Sequence, residues 1–412
     1  MAINLRVKPA AARALRKGHP FLFDEAITRQ TGSDNPRAGD VCVVYDDERA
    51  LVAVGLYDPR SPLRVRVLSH RKPVVVDDAL FAARVTDAIA KRAHLPTHDA
   101  RGETTGYRLV HGENDGLPAV VVDRYGDTAL MKLYSAVWFP RLAQLTAPLM
   151  AQPDIARVVV RLSRSLLRDV DRPAAITDGA VVAGTPLPPM PLHFLERGLR
   201  YEVDVVSGQK TGFFLDQRDN RARVEDSAKG ARVLNVFSYS GGFSLAAARG
   251  GAVAVTSVDL SPHALDAARR TFADNAHDAR IAACVHDVIC GDAFDVLKDL
   301  VARGARYEVV VIDPPSFAKS KDEVPGALAS YERLAVLGVQ VTAPGGLLVL
   351  ASCSSRVSAV DFRAACVDAA YGADTDLEVQ DETHHADDHP ATFPEAYYLK
   401  ALWCRPRPRE ST

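Results

Sequence analysis

From about residue 200 onward, continuous apolar runs alternate with amphipathic stretches, and this alternation restricts the fold more than any other feature of the chain. Arg232 to Phe237, Val253 to Val258, Tyr307 to Ile312 and Gly346 to Ala351 read as strands. Phe243 to Arg249, Pro262 to Asn275 and roughly 326–343 read as helices. Strands that are apolar on both faces need cover on both, and intervening helices supply it. The pattern predicts an α/β fold with a doubly wound, mostly parallel sheet. Two more strands between Leu377 and Trp403 have no long helix between them, which predicts an antiparallel C-terminal edge.

A chain of 412 residues is too long for one ordinary core. Residues 1–72 read as a small β-rich unit, with short runs at Val41 to Tyr45, Leu51 to Leu56 and Leu63 to Leu68 and a helical pattern between Lys8 and Lys17. Residues 73–192 read as a second unit. It has a helix over 78–93, strands at Tyr107 to Val110, Ala119 to Asp123, Ala129 to Tyr134 and Val158 to Leu162, and a helix over 137–150. A Pro-rich stretch from Gly184 to Pro191 marks a linker or edge, so the third unit is expected over 193–412.

The net charge of -2 hides an asymmetry: residues 1–72 carry 13 Lys and Arg against 8 Asp and Glu. A basic first unit on an acidic body suits a polyanionic partner on one face, although a solvated surface explains the charge equally well. No apolar run is long enough to cross a bilayer, and no apolar signal segment follows Met1. The cysteines at 42, 284, 290, 353, 366 and 404 form no CxxC pair, so neither a zinc knuckle nor a disulfide framework is expected. These features predict a cytoplasmic protein without a membrane partner.

Nucleotide chemistry is suggested by three strand ends. Asn235-Val236-Phe237-Ser238-Tyr239-Ser240-Gly241-Gly242 follows the first strand and opens a helix, so backbone N–H groups can face a ligand. Asp259 ends the second strand, 18 residues after Gly241, where a carboxylate can accept ribose hydroxyls. Asp292 follows the third strand, where a polar group can meet the adenine edge. Each alone is as well explained by a turn or a helix cap, but the three together are not. There is no GxxxxGK[ST], which argues against a P-loop. Asp313-Pro314-Pro315-Ser316-Phe317 ends a further strand beside this crevice. Proline fixes such a turn, and the aromatic ring can stack on a planar substrate.

Several segments, spread nearly end to end, carry a resemblance. They are Lys17-Gly18-His19-Pro20, Gly116 to Val120 with Asp123-Arg124-Tyr125, and Thr211 to Arg218. The 235–242 turn, Asp313-Pro314-Pro315, Ser352-Cys353-Ser354 and Asp388 to Glu395 complete the set. In this order they resemble the large-subunit ribosomal RNA methyltransferase I family, S-adenosylmethionine-dependent enzymes that make 5-methylcytosine in 23S rRNA. The resemblance implies a small β-barrel PUA-like domain, a small central α/β domain and a Rossmann-like class I methyltransferase domain, matching the divisions at 72 and 192. It implies S-adenosylmethionine as cofactor, with Gln217 folding over it and Asn235, Phe237, Ser238, Gly241, Asp259, Asp292 and Asp313 around it. It also implies 23S rRNA or its large-subunit precursor as partner rather than DNA, and it allows a homodimer.

Cytosine C5 is a weak nucleophile, and a thiolate added to C6 activates it. Cys353 follows an apolar strand and should face the crevice, while the other five cysteines read as structural. Asp313 can accept from the cytosine amine, and Glu395 resembles by position the base that takes the C5 proton. Pro314, Pro315 and Phe317 are expected against the substrate base. Arg6, Lys8, Arg13, Arg16 and Lys17 are expected on RNA phosphates, extended by Arg60, Arg64, Arg66 and Arg71. His384, His385 and His389 match no familiar metal spacing, and no metal is expected. The chain departs from two-cysteine cytosine enzymes, with Pro315 where they carry cysteine. Rival readings are an rRNA methyltransferase acting on guanine or uracil, and a non-catalytic RNA-binding or ribosome assembly protein.

Overall fold

The computed structural model describes residues 2–95, 101–169, 172–208 and 210–409. They form two compact units. One holds Met1–Gly198, Val203–Leu215 and Asp388–Phe393, and the other holds Leu199–Glu202, Asp216–Asp387 and Pro394–Thr412.

The first unit contains two sheets. In the six-stranded sheet the order is Phe21–Leu22, Val65–His70, Leu51–Tyr57, Val41–Tyr45, Ile3–Val7 and Ile27–Thr31. Ile3, Leu5 and Val7 alternate into its core, a strand hidden in the sequence by the interleaved Asn4 and Arg6. The five-stranded sheet runs Val181–Gly184, Arg157–Leu162, Thr128–Leu133, Val120–Tyr125, Gly106–His111. Helices Asp78–Ala90 and Leu142–Met150 supply its apolar cover around the buried Trp138. The expected helix over 137–150 is instead a 3-10 turn, Ala136–Arg141, followed by an α-helix from Leu142. Pro140 lacks an N–H and restricts the residue before it, which keeps the first turn out of the α register.

The second unit is built on seven strands, named in chain order: β1 Arg232–Val236, β2 Ala254–Asp259, β3 Val285–Cys290, β4 Tyr307–Ile312, β5 Thr342–Ser352, β6 Thr375–Thr383 and β7 Lys400–Pro408. The sheet order is β3-β2-β1-β4-β5-β7-β6. Every pair from β3 to β5 is parallel, and β7 runs antiparallel to both β5 and β6. The doubly wound sheet with an antiparallel C-terminal edge is therefore as the hydrophobic pattern predicts. Strand order reverses between β1 and β4, and ligands of such sheets bind outside the C-terminal strand ends at that point. Leu234, Val236, Val310, Ile312, Leu348 and Leu350 are buried there with Tyr331, Leu334 and Phe362 from the covering helices.

Helix Gly242–Arg249, whose first turn opens at the end of β1, lies against helix Arg218–Ser227. The approach is close enough that a Cβ on Gly250 would sit 2.0 Å from Glu225 O. A buried Arg249–Glu225 pair, with Nε to Oε1 at 2.9 Å, ties the same two helices. Gly250→Ala should force these helices apart and cost about 1–3 kcal/mol. Denaturant unfolding would measure this, and a stability equal to wild type would contradict the close approach.

Candidate active site

The loop after β1 carries backbone strain. Phe237, Tyr239 and Gly241 have φ of 62°, 48° and 79°, and two of the three are bulky residues in a region normally left to glycine. Backbone bonds hold the loop against β2: Ser238 N donates to Val258 O at 2.9 Å, and Gly241 N to Ser238 O at 2.9 Å. Asp259 adds a carboxylate, accepting from Tyr239 N at 2.8 Å and Ser261 N at 2.9 Å. At Gly241 a Cβ would lie 2.9 Å from the Ala268 Cβ, so side chains are excluded both by φ and by space.

Asn235 lies beneath this loop. Its Nδ2 donates to Ser244 Oγ (2.9 Å), which pairs with Ser257 Oγ (2.7 Å), which in turn meets His286 Nε2 (2.9 Å). Phe272 stacks on the His286 ring at 3.7 Å. Burial draws the His286 pKa down to about 4, so the ring is held neutral. Asn235 Oδ1 and Ser238 Oγ are buried without a hydrogen-bond partner. Asp292 is exposed and caps helix Ala293–Ala302, with Oδ1 accepting from Phe294 N (2.9 Å) and Asp295 N (3.3 Å).

Asp313 leaves β4 with its N–H on Val236 O at 3.3 Å. Its Oδ2 accepts from Gln217 Nε2 at 2.9 Å. Gln217 is itself fixed, because Asn220 Nδ2 donates to its Oε1 at 2.5 Å. Asn220 Oδ1 accepts from Thr383 Oγ1 (2.6 Å), and Thr383 Oγ1 accepts from Trp403 Nε1 (2.8 Å). A single chain of bonds thus runs from the sheet edge to the Asp313 carboxylate and sets the orientation of both amides. Neighbouring Asp216 accepts from Tyr398 Oη at 2.8 Å. Gln217 and Asp313 are brought together as the sequence suggests. Asn220 and Thr383 were not foreseen, since neither belongs to a strand-end motif.

Cys353 follows β5 and is half-buried, with its Sγ 3.9 Å from Pro314 O. Pro314 is buried and Pro315 exposed. The half-buried Phe317 ring, expected against a substrate base, packs on Tyr331 with ring centroids 5.2 Å apart and adjoins the apolar cluster. Tyr331 accepts from Ser352 Oγ at 2.8 Å, and burial pushes its pKa to about 12. This ring was missed because Tyr331 lies on a helical apolar stripe with no motif around it. Cys42, Cys366 and Cys404 are buried, and burial raises all three thiols.

Other candidates lie apart from these contacts. Glu395 is on an exposed 3-10 turn, Pro394–Ala396. His384 Nδ1 and His385 Nε2 meet the Leu399 backbone at 3.2 and 3.1 Å. His389 is buried in the first unit, with Nδ1 3.0 Å from Asp388 Oδ1. In that unit Lys8, Arg13 and Lys17 are exposed and Arg6 half-exposed, while Arg16 pairs with Asp46. Three arginines expected on phosphates are otherwise engaged. Arg60 pairs with Asp169 at 3.0 Å, Arg64 binds Asp24 and the Pro59 carbonyl, and Arg66 is buried over the Phe21 ring.

The family described as S-adenosylmethionine-dependent methyltransferase matches residues 143–403, and a PUA-like domain matches residues 5–70. A ribosomal RNA large subunit methyltransferase of Deinococcus radiodurans is 46% identical over 97% of both chains. Ribosomal RNA large subunit methyltransferase I of Klebsiella pneumoniae is 36% identical over 95% of this chain and 96% of its own. The chain belongs to this methyltransferase family. A crystal structure of a related methyltransferase complexed with SAH covers 98% of the chain with a TM-score of 0.81 at 25% identity.

The cofactor of this methyltransferase is S-adenosylmethionine, and the crevice suits it. Gly241 leaves backbone N–H groups unshielded at the first turn of helix Gly242–Arg249. Asp259 keeps a further lone pair on each oxygen for hydroxyls. The partnerless Ser238 Oγ and Asn235 Oδ1 point to polar atoms that the protein does not itself supply.

Two outcomes follow. Asn220→Ala should cut kcat/KM for methyl transfer about ten-fold, roughly 1.4 kcal/mol, because Asp313 loses its oriented donor. Unchanged kinetics would show that the chain of bonds does not steer Asp313. His286 is neutral in the fold with a pKa of about 4, below its unfolded 6.5. The unfolded chain therefore takes up a proton first, and stability should fall as pH drops from 6.5 towards 4. His286→Phe should flatten that part of the pH–stability curve measured by thermal unfolding.

Proposed function

We propose that the protein methylates C5 of a cytosine in large-subunit ribosomal RNA, using Cys353 as nucleophile. The observation that carries this is the Cys353 thiol lying 3.9 Å from the carbonyl oxygen of Pro314, the residue that follows Asp313. A guanine-methylating site has no use for a thiol at this strand end. The printed names of the relatives in Deinococcus radiodurans and Klebsiella pneumoniae support ribosomal RNA as the substrate.

In this reading the Cys353 thiolate adds to C6 of the ring, and the C5–C6 double bond shifts electron density onto C5. The cofactor supplies an electrophilic methyl group on its sulfonium. Once C5 is methylated, a base takes the C5 proton, the C6–S bond breaks and the ring double bond returns. Asp313 accepts a hydrogen bond from the cytosine amine, an interaction that uracil, with an acceptor at that position, does not offer. Glu395 is the proposed proton acceptor, on the strength of the sequence resemblance. Pro314 and Pro315 bound the base, and the packing of Phe317 on Tyr331 braces their turn. Attack at C6 and methylation at C5 require the base to be unstacked. The division at residues 72 and 192 is proposed as the functional one, with Arg6, Lys8, Arg16 and Lys17 of the PUA-like part on RNA phosphates.

The test is transfer of a labelled methyl group to large-subunit rRNA, followed by nucleoside analysis, for wild type and Cys353→Ala. Label in 5-methylcytidine that falls at least 10³-fold in the variant is expected, the scale of losing a covalent nucleophile. Label in another nucleoside, or an active Cys353→Ala, would overturn the mechanism.

A further inference from the structure

Lys400 begins β7, and only 2% of it is exposed. Its Nζ donates to the backbone carbonyls of Ser354, Val357 (2.6 Å) and Tyr398 (3.3 Å). Three carbonyls around one nitrogen suit an ammonium, which has three protons and no lone pair. A neutral amine would turn its lone pair onto a carbonyl oxygen. No carboxylate lies within ion-pairing distance of Lys400 among the described residues. A buried cation without a carboxylate is costly, and an apolar side chain of the same length would pack there at lower cost.

The position of this charge is specific. Lys400 is the register partner of Ser352, and it binds the carbonyl of Ser354. Those two residues flank Cys353. The same ammonium pins the turn 354–357 that follows the cysteine, so it sets where the thiol can point. Burial draws the Lys400 pKa down to about 8, while Cys353 and Glu382 pull it back up.

We propose that Lys400 is a positioning residue for Cys353, and that its ammonium is the buried cation against which the Cys353 thiolate forms. This rests on the reading of Cys353 as the nucleophile. On ionisation the S–H bond breaks, the electron pair stays on sulfur and the proton leaves to solvent. Lys400 keeps its three protons and its carbonyl contacts. Glu382 on β6 acts on Lys400, and Tyr331 on helix Val324–Val341 meets the charge of Cys353 and, in turn, of Cys366 on helix Ala359–Gly372 and of Asp313 on the turn after β4. Tyr331 is held neutral by its raised pKa, and burial does the same for Cys366. Asp313 opposes a second negative charge, and Lys400 offsets it.

The test is the pH dependence of iodoacetamide alkylation at Cys353, followed by peptide mass spectrometry so that Cys284 and Cys290 are read separately. In the full-length protein, Lys400→Met should raise the apparent Cys353 pKa by about one unit, making alkylation at pH 7 about ten-fold slower. Binding of S-adenosylmethionine by calorimetry reports whether the variant is folded. A folded Lys400→Met with the wild-type alkylation profile would reduce Lys400 to a structural role and overturn the proposal. If that variant does not fold, the wild-type profile decides: Cys353 should alkylate with an apparent pKa below the ordinary thiol value of about 8.5, and a value at or above it would overturn the proposal. Alkylation does not depend on turnover, so an active Cys353→Ala would defeat the nucleophile reading separately, whatever the Lys400 result.

Discussion

The parallel register between β4 and β5 is the constraint on which the site depends. Ile312 sits opposite Leu350, so the turn Asp313-Pro314 leaves one strand level with Ala351 and Ser352, one residue before Cys353. A shift of one residue would carry Cys353 about 3.3 Å along the strand and turn its side chain to the opposite face. The register is secured by apolar contacts on one face, where Val310, Ile312, Leu348 and Leu350 meet Tyr331, Leu334 and Phe362. The geometry of the thiol is thus set by a core that contains no catalytic group.

Around this frame, polar groups are ordered by long connected networks. The bonds from Trp403 through Thr383, Asn220 and Gln217 to Asp313 link the sheet edge to the strand end. The buried run Asn235–Ser244–Ser257–His286 braces the strained loop after β1 from below. Strain at Phe237 and Tyr239 persists because Val258 and Asp259 hold the loop from β2. Two of the buried polar atoms without a protein partner, on Asn235 and Ser238, lie at this loop.

Legibility differed with the kind of signal. The strand Tyr307–Ile312 was readable to the residue, because an apolar run bounded by Arg306 and Asp313 leaves no other boundary. β5 begins at Thr342, four residues before its expected start, since Pro344-Gly345-Gly346 reads as a breaker but is tolerated as an irregular entry to the strand. Pro140 divided one expected helix, and the first strand, Ile3–Val7, was passed over because Asn4 and Arg6 interleave its apolar residues. At the site, Asp313 and Cys353 stood out because strand-end chemistry is local in sequence. Asn220 and Thr383 are 163 residues apart, and nothing in either neighbourhood marks them as partners. Phe317 was read as a base-facing aromatic from its motif, and its tilted packing on Tyr331 came only with the fold.

By itself the sequence determined the doubly wound sheet, its antiparallel edge, the strand ends expected around the cofactor and the cysteine that follows β5. These follow from periodicity and from residues adjacent in the chain, which act whatever the rest of the fold does. Only the tertiary structure decided which arginines are engaged by carboxylates and carbonyls, which histidines are buried, which amide steers Asp313 and that a buried ammonium flanks Cys353. Those facts depend on strand register and side-chain packing between distant segments. The energy of a polar group is set by its partners and its burial, and neither is written at its own position in the chain.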